Sequence, residues 1–476
     1  MRILHAIHDF LPRHAAGSEI YAFQLCRELA KRHVVHVLAA EYDPARPHGS
    51  LTWRVHDGLP VIELVNNWEG SFANSWRSLR LGAQLAHVLR ATQPDVLHVH
   101  SLLNLSFELP ALARAQGTAV AATMHDHSLA CPAGGQRLHI VEQTVCDEIL
   151  PDRCAACFSR SPFHSQMAVG SVSRAVGRGG TWIGRAAKQA ARLAPGAAAL
   201  FSRRVLSRAQ PVTGAEVSAR LDGMRRVFDA VQVFVSPSEA VANAHAAAGL
   251  DRAKLVVSDY GFARRQALPA DGAVRSGRAP GSPLRIGFAG TLVRHKGAHV
   301  LVEAARLLPA GRFEVELWGS LDTFPGYVAD LRSLARGLPA RFCGSFDNND
   351  AAAIYGRFDV LVVPSLWPEN SPLVIHEAFM AGVPVVAARM GGIPELITDG
   401  VNGLLYRADD AAALAAALGA LIDDRARLAR MASHALPVKS IEDDAMEWEG
   451  RYEKLLSRPS HGYPTRLSPA AHLQRR

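Results

Sequence analysis

Short apolar runs alternate with longer amphipathic stretches along the second half of the chain. Strand patterns occupy residues 284–289, 313–318, 359–364, 384–388 and 403–406, and helical patterns lie between them at residues 297–308, 327–337 and 411–422. Strands that alternate with helices favour a parallel sheet covered on both faces. Ligands of such sheets bind beyond the carboxyl ends of the strands, so we search those loops first.

The first half repeats this pattern less regularly. Strand patterns lie at residues 2–7, 34–39, 61–64, 96–100, 119–124 and 231–236, and helical patterns at residues 18–31 and 75–91. Residues 131–215 do not fit the alternation, and we interpret them as an insertion. Residues 270–282 are rich in Gly, Pro, Ala and Ser and predict a linker between two α/β domains.

A late helix is predicted at residues 440–457. Its apolar side chains follow steps of four and three, which places them on one buried stripe: Ile441, Ala445, Trp448, Tyr452 and Leu455. Because the helix follows the second sheet domain, it is able to pack across the domain junction. The tail at residues 458–476 is predicted to be disordered.

Charge is unevenly distributed along the chain. The formal net charge is +8, yet residues 159–215 contain nine Arg and Lys residues and no Asp or Glu. Such a surface suits anionic lipid headgroups or a phosphorylated acceptor, and the alternative is a solvated or mobile insertion. We expect no nucleic-acid partner, because the basic stretch is confined and lacks a reading motif. No run of about 18 apolar residues or secretory leader is seen, so a cytoplasmic location is expected, with peripheral contact at the inner face of an anionic membrane as an option.

The stretch at residues 367–382 holds candidate binding groups. Ser371 suits a helix N-cap and Pro372 the first helical position, so a helix of about three turns is predicted after the strand at residues 359–364. The free N–H groups of Leu373, Val374 and Ile375 in its first turn favour an anion such as a diphosphate. Glu369 before the helix and Glu377 within it are placed to accept hydrogen bonds from sugar hydroxyls. The alternative is two carboxylates with no ligand.

A second loop, at residues 290–297, follows the strand at residues 284–289. Gly290 allows the backbone to approach a ligand closely, and Arg294 and Lys296 both reach a diphosphate from this turn. The alternative is a pair of solvated cations. The loop lacks a Gly-x-Gly-x-x-Gly pattern, so no nicotinamide site is predicted.

These two loops resemble those of the family-4 glycosyltransferases. The resemblance rests on the spacing of Glu369 and Glu377, on the flanking Val-Pro-Ser and Ala-Phe-Met-Ala-Gly-Val-Pro segments, on Lys296-Gly297, and on the Asp-Gly-Val-Asn-Gly-Leu-Leu segment at residues 399–405. It implies the GT-B fold, an α/β architecture of two doubly wound, Rossmann-like domains that face a cleft. The acceptor-side domain would span residues 1–270, the nucleotide-sugar domain residues 283–438, and helix 440–457 would cross back to the first domain.

The resemblance also implies a role for each matched residue of the second domain. Glu377 would bind the nucleotide ribose and Glu369 the donor-sugar hydroxyls, while Lys296 would neutralise the leaving diphosphate. The segment that contacts sugar and diphosphate comprises Asn370, Ser371, Pro372 and Leu373. The family's usual Arg after the loop glycine is Thr291 here, and Arg294 is the candidate replacement.

The first domain supplies two further matches. Gly17 corresponds to the family's glycine-rich loop before the first helix, and His125 to a histidine that touches the donor sugar. Members retain anomeric configuration without a catalytic metal, so the two glutamates are not a hydrolase's acid and nucleophile.

The implied activity is that of a retaining hexosyltransferase in bacterial-type glycan or glycolipid synthesis. It would move a sugar from a nucleotide-sugar to a glycan, lipid-linked or small-molecule acceptor, and it would require no catalytic cofactor. The alternatives are a nucleotide-sugar epimerase of the same architecture and a non-catalytic nucleotide-sugar binder.

Four cysteines lie within 27 residues and end in a Cys-x-x-Cys pair: Cys131, Cys146, Cys154 and Cys157. Four thiols at this spacing are able to bind a structural zinc tetrahedrally. The alternatives are four unpaired thiols or a redox-labile pair. Some members of the family carry a similar cysteine stretch after the same strand.

Overall fold

A computed structural model describes residues 1–43, 45–68, 71–165, 167–168, 211–263, 281–347 and 350–457. The chain divides into two compact units, of which the first contains Met1–Pro237, Ala242–Ser258 and Ile441–Arg476, and the second contains Ser238–Val241 and Asp259–Ser440. Most of the basic stretch, nearly all of the predicted linker and the predicted disordered tail lie outside the described residues.

The first unit is built on a sheet of eight strands in the described part of the chain. The strands are β1 (Arg2–Ile7), β2 (Val34–Glu41), β3 (Leu51–His56), β4 (Leu59–Val65), β5 (Val96–Val99), β6 (Ala119–Thr123), β7 (Val233–Ser236) and β8 (Leu255–Val257). Their spatial order is β3-β4-β2-β1-β5-β6-β7-β8, and all neighbours are parallel except β3 and β4. The order reverses between β1 and β5, which makes this the topological switch point of the sheet.

Helices cover both faces of this sheet. They are α1 (Gly17–Leu29), α2 (Leu79–Thr92), α3 (Leu109–Ala115), α4 (Pro151–Phe158), α5 (Gly214–Ala230), α6 (Glu239–Ala247) and, at the far end of the chain, Ile441–Ser457. The last helix packs against α1 and β6 and buries Ile441, Ala445, Trp448, Tyr452 and Leu455. The predicted apolar stripe is therefore buried within the first unit, although the helix comes last in the sequence.

The second unit repeats the doubly wound arrangement. Its strands are β9 (Leu284–Ala289), β10 (Phe313–Trp318), β11 (Ala340–Gly344), β12 (Val360–Val363), β13 (Val385–Ala388) and β14 (Gly403–Tyr406). They form a parallel sheet in the order β11-β10-β9-β12-β13-β14. The switch point lies between β9 and β12, and both strands end in the loops singled out from the sequence.

The helices of the second unit separate its strands along the chain. They are α7 (Ala298–Ala305), α8 (Pro325–Leu334), α9 (Ala351–Tyr355), α10 (Leu373–Met380), α11 (Ile393–Leu396), α12 (Ala411–Asp423) and α13 (Arg425–Ser433), so that Ile441–Ser457 is α14. Two apolar clusters fill the two faces of the sheet, one beneath α7 and α12 and one beneath α10. The predicted GT-B class is confirmed at the level of two Rossmann-like units. Among the described residues, the helices all fall short of the length and apolar content that crossing a membrane requires.

Candidate functional site

An ion pair joins the two loops at the switch point of the second unit. Lys296 Nζ lies 2.7 Å from Glu369 Oε1, and Ser365 Oγ donates to the same carboxylate oxygen at 2.6 Å. The Lys296 ammonium also lies 5.1 Å from the centre of the Trp367 ring. The structure therefore brings together two residues, 73 positions apart in sequence, that were predicted to meet the two halves of one ligand.

Backbone geometry explains why a glycine follows Lys296. Gly297 has φ +73°, and a Cβ atom there would lie 1.8 Å from the Pro364 carbonyl oxygen. The turn therefore requires glycine for two reasons, the left-handed backbone and the close approach of the strand β12 exit. Leu366 N donates to His295 O at 2.8 Å, which ties the same two loops together.

Helix α10 differs from the prediction at its first turn. The helix begins at Leu373 with Pro372 at the N-cap position, and it contains eight residues, which is about two turns. Ser371 does not cap it, because its hydroxyl donates to Asp259 Oδ1 at 2.7 Å and lies 2.8 Å from His376 Nε2. The predictions of a Ser371 cap and of a three-turn helix from Pro372 are therefore wrong.

The correction also reduces the number of donors at this helix start. Ile375 N, which was predicted to be free, donates to Pro372 O at 3.0 Å. Within the described residues, the amides of Leu373 and Val374 donate no hydrogen bond. Two adjacent N–H groups remain suited to an anion, although a two-turn helix adds a smaller dipole than the predicted one.

The Asn370 side chain holds the loop in place. Asn370 Oδ1 accepts from Ser238 Oγ at 2.6 Å, and its amide nitrogen donates to Tyr260 Oη at 3.4 Å. Since these contacts and those of the Ser371 hydroxyl occupy two buried side chains, Asn370 and Ser371 have their backbone left to contact a ligand.

Glu377 projects from the second turn of α10. Its Oε2 accepts from the hydroxyl of Tyr355, a residue that is fully buried at the end of α9. The hydrogen bond fixes one carboxylate oxygen, so the side chain is oriented before any ligand arrives.

Gly290 and Arg294 are the remaining predicted residues of this loop pair. Gly290 directly follows β9 and has φ +148°, and Gly319 packs so closely that a Cβ on it would lie 2.1 Å from Gly290 O. Arg294 is exposed, in a short 3-10 turn that also contains Lys296. Burial, helped by the Lys296 cation, lowers the pKa of the intervening His295 to about 4, so His295 is neutral at pH 7.

Sequence reasoning missed the residues that support this loop pair from behind. A Cβ on Gly391 would lie 2.2 Å from Glu369 O, and one on Gly392 would lie 2.1 Å from Asn370 O. Gly392 N donates to Glu369 O at 2.8 Å. Paired glycines shortly after the buried strand β13 were a readable signal of close backbone approach. Ser365 belongs to the Val-Pro-Ser segment of the resemblance but was given no role, and nothing marked Tyr355.

In the first unit, His125 follows β6 and is partly exposed. His125 Nε2 lies 3.0 Å from His100 Nδ1, and its ring packs edge-on against Tyr21 of α1 at 5.5 Å. Burial, helped by the neighbouring His8, lowers the pKa of His125 to about 3, so the ring is neutral at pH 7.

Gly17 is the first residue of α1 and, unlike many glycines of this chain, has no positive φ. The turn before it is held by Glu19, whose carboxylate accepts from Ala16 N at 3.1 Å. A left-handed backbone is therefore not the reason for a glycine at this position.

The four clustered cysteines lie in one region of the first unit. Burial, helped by the nearby thiols of Cys131, Cys146 and Cys157, raises the pKa of Cys154 to about 11. Cys157 Sγ accepts from Ile140 N at 3.4 Å. Yet the described residues whose metal-binding atoms lie within 4.8 Å of one another are histidines and carboxylates, and these cysteines form no such group. The thiols are close but not gathered around one point, and the zinc site stays a prediction.

Comparison with protein families matches both halves of the chain. Residues 15–156 match the model described as Glycosyltransferase Family 4, and residues 283–424 match the model described as Glycosyl transferases group 1. The second match contains the Lys296 turn and the whole segment from Glu369 to Glu377.

Curated relatives cover a smaller part of the chain. A D-inositol 3-phosphate glycosyltransferase of Corynebacterium kroppenstedtii is 35% identical over 173 residues, which is 34% of this chain and 38% of the relative. One of Xylanimonas cellulosilytica is 37% identical over 165 residues, which is 34% of this chain and 39% of the relative. The chain thus matches less than half the length of these relatives.

Solved structures resemble the whole fold. Anabaena HepE in complex with UDP and glucose has a TM-score of 0.58 at 18% identity, with 96% of this chain and 100% of that chain covered. Sucrose-phosphate synthase of Thermosynechococcus elongatus has a TM-score of 0.63 at 18% identity, with 95% and 98% covered. Both likenesses support the GT-B class of the two units.

Proposed function

Because the chain belongs to the family-4 glycosyltransferases, we propose that it moves a sugar from a nucleotide-sugar donor to a hydroxyl group of an acceptor. The observation that carries the proposal is the contact of Lys296 with Glu369 at the switch point of the second unit. A cation and a carboxylate in contact suit the junction of a sugar with a diphosphate, where the bond to the anomeric carbon breaks.

Each charge has a distinct task in the proposed reaction. As the bond breaks, negative charge grows on the departing diphosphate, which the Lys296 ammonium stabilises. Glu369 holds sugar hydroxyls and faces the positive charge that develops on the ring. The Leu373 and Val374 amides at the start of α10 add two neutral donors for phosphate oxygens.

Glu377 is assigned to the nucleotide ribose. A carboxylate with one oxygen already fixed by Tyr355 is able to accept from two ribose hydroxyls without first losing rotamer freedom. Arg294 is the candidate second cation for the diphosphate, because it lies on the Lys296 turn and is exposed. An Arg294→Ala variant with an undiminished rate would remove Arg294 from this account.

The reaction is proposed to retain anomeric configuration, as the resemblance implies, with His125 in contact with the donor sugar. The sugar is proposed to be a hexose, and the acceptor a glycan, a lipid-linked glycan or a small molecule. Neither family match nor any named relative favours an epimerase. Peripheral contact with an anionic membrane rests on the basic stretch, most of which lies outside the described residues.

A thermal-shift screen of the wild-type chain tests donor binding. UDP-, ADP- and GDP-sugars are compared with the corresponding nucleosides, which lack the diphosphate. UDP and ADP come first, because solved structures of the same fold include complexes with UDP-glucose and with ADP. At a hundredfold excess over Kd, one nucleotide series is expected to raise Tm by roughly 5–10 °C. If no nucleotide-sugar raises Tm above its nucleoside, the proposal fails.

A further inference from the structure

Four histidines surround the switch point of the first unit. His5 lies in β1 opposite His98 of β5, His100 follows β5, and His125 follows β6. His5 and His98 are fully buried and His100 is 3% exposed. The imidazole rings of His98 and His100 are stacked 4.2 Å apart, and those of His5 and His100 are stacked 5.2 Å apart.

Three of these rings form one hydrogen-bonded chain. His5 Nδ1 lies 2.9 Å from His100 Nε2, and His100 Nδ1 lies 3.0 Å from His125 Nε2. His98 stands outside this chain, because its two nitrogens contact Tyr452 Oη at 2.6 Å and Thr123 Oγ1 at 2.8 Å.

The cluster does not have the character of a metal site, although ligand atoms of His5, His98 and His100 lie within 4.8 Å of one another. A bound metal requires a free lone pair from each ring. Both nitrogens of His98 and both of His100 already have hydrogen-bond partners, and only Nε2 of His5 has none.

The N–H protons of His5, His100 and His125 have two possible arrangements along the hydrogen-bonded rings. Burial lowers the pKa of His5 and of His125 to about 3 and that of His100 well below its usual value, so each ring is neutral and carries one N–H. Either every bond points from His5 toward His125, or every bond points from His125 toward His5. The first arrangement leaves the proton of His125 on Nδ1, and the second leaves it on Nε2.

His5, at the inner end of the three hydrogen-bonded rings, decides between the two arrangements. His5 Nε2 is buried and has no hydrogen-bond partner among the described residues. The second arrangement would place an N–H on this atom, and orphaned buried N–H groups are rare in proteins. The first arrangement leaves only a bare lone pair there, which is the smaller penalty.

We propose that His5 and His100 are positioning residues that hold His125 as its Nδ1–H tautomer. The outer nitrogen of His125 is then a hydrogen-bond donor and has no lone pair with which to accept a proton. The inference rests on the proposed function in one respect, namely that the atom met by this donor is an oxygen of the bound sugar. The tautomer itself follows from the neutral, hydrogen-bonded rings and from the unpartnered His5 Nε2.

Nitrogen NMR of the full chain, labelled with ¹⁵N-histidine, tests the tautomer without any substrate. The signals of His125 are identified by their loss in His125→Asn. We expect a protonated Nδ1 and a bare Nε2 in the wild type. A protonated Nε2 would overturn the proposal, whether or not the chain proves to be a transferase.

Two phenylalanine variants separate positioning from packing. His100→Phe removes both hydrogen bonds of the chain, so His125 is expected to populate both tautomers. His98→Phe is the matched control, because it changes an equally buried ring outside the chain and is expected to leave the His125 signals unchanged. A His125 tautomer that persists in His100→Phe contradicts the positioning role. The wild-type measurement decides the tautomer even if either variant fails to fold.

Discussion

At the scale of single residues, Lys296 and Glu369 form the centre of the candidate site in the second unit. Besides contacting each other, Glu369 accepts from the Ser365 hydroxyl and Lys296 lies against the face of Trp367. The sequence analysis selected both residues as candidates for ligand binding, yet it did not predict their direct contact. A pattern of residue types after a strand identifies a loop. A contact between side chains of two loops depends in addition on the distance between those loops in the folded sheet.

Substitution of Lys296 is expected to affect the rate more than binding. In Lys296→Gln the diphosphate loses its cation as charge develops, so kcat should fall on the order of 10²–10³-fold, with a smaller change in KM. Steady-state kinetics with the donor found by thermal shift measures both constants. Arg306→Gln, on an exposed residue after α7, is the matched control. A kcat equal to that of the control contradicts the role given to Lys296.

Substitution of Glu377 is expected to affect binding first. Glu377→Ala removes the carboxylate that would accept from ribose hydroxyls, and charged hydrogen bonds contribute roughly 1.5–3 kcal/mol. The Kd for the nucleoside diphosphate should therefore rise roughly 10- to 150-fold, as measured by titration calorimetry. Glu303→Ala, on the exposed side of α7, should leave the Kd unchanged. An unchanged Kd in Glu377→Ala would remove the ribose role.

At the scale of elements, the regular parts of the chain follow from hydrophobic periodicity. The predicted bounds of β1, β9, β10 and β14 match those of the structure, because each is a short apolar run between turn residues. The start of α10 was placed wrongly, since Ser371 satisfies Asp259 and His376 instead of the helix amides. Capping preferences consider only local partners, whereas here the Ser371 hydroxyl donates to Asp259, which is distant in the sequence.

The turn after Lys296 offers a test of why glycine is required there. Gly297 and Gly311 both have φ +73°, but a Cβ meets the Pro364 carbonyl oxygen only at Gly297 and meets nothing within 4 Å at Gly311. Gly311→Ala should lower the free energy of unfolding by about 1–2 kcal/mol, the cost of a left-handed alanine. Gly297→Ala should lower it by clearly more, because the β12 exit must shift as well. Equal losses in urea denaturation would contradict the close-approach argument.

The cysteine region offers a second test at this scale. The buried Arg220 has no carboxylate within 4 Å in the described part of the chain, and it donates to the carbonyls of Ser128 and Leu129. The thiols of Cys131 and Cys154 lie near enough to raise its pKa against the effect of burial. A zinc held by four thiolates would carry net negative charge, which this unpaired cation would balance.

Metal analysis of the purified chain should therefore find about one zinc per molecule. Cys154→Ser should lose the zinc and lower Tm, whereas Cys343→Ser, on strand β11 of the other unit, should change neither. If the purified protein contains no zinc and gains no stability when zinc is added, the zinc prediction is wrong and the four cysteines are ordinary thiols.

At the scale of the whole molecule, two similar sheets carry different chemistry at their switch points. The second unit presents charged groups that suit a nucleotide-sugar, and the first presents neutral histidines. The charged groups of the second unit were found from the sequence, because they lie in a dense motif. The histidine chain could not be foreseen, because His5, His98, His100 and His125 become neighbours only when β1, β5 and β6 adopt their order in the sheet.

Proton NMR of a reaction that contains the chain, the selected nucleotide-sugar and a mixture of hydroxyl acceptors tests the central claim most directly. We predict that the nucleoside diphosphate appears together with a new glycoside whose anomeric signal has the same configuration as the donor. Lys296→Gln should release both products far more slowly. An isomerised nucleotide-sugar that forms without release of nucleoside diphosphate would contradict the assignment as a transferase.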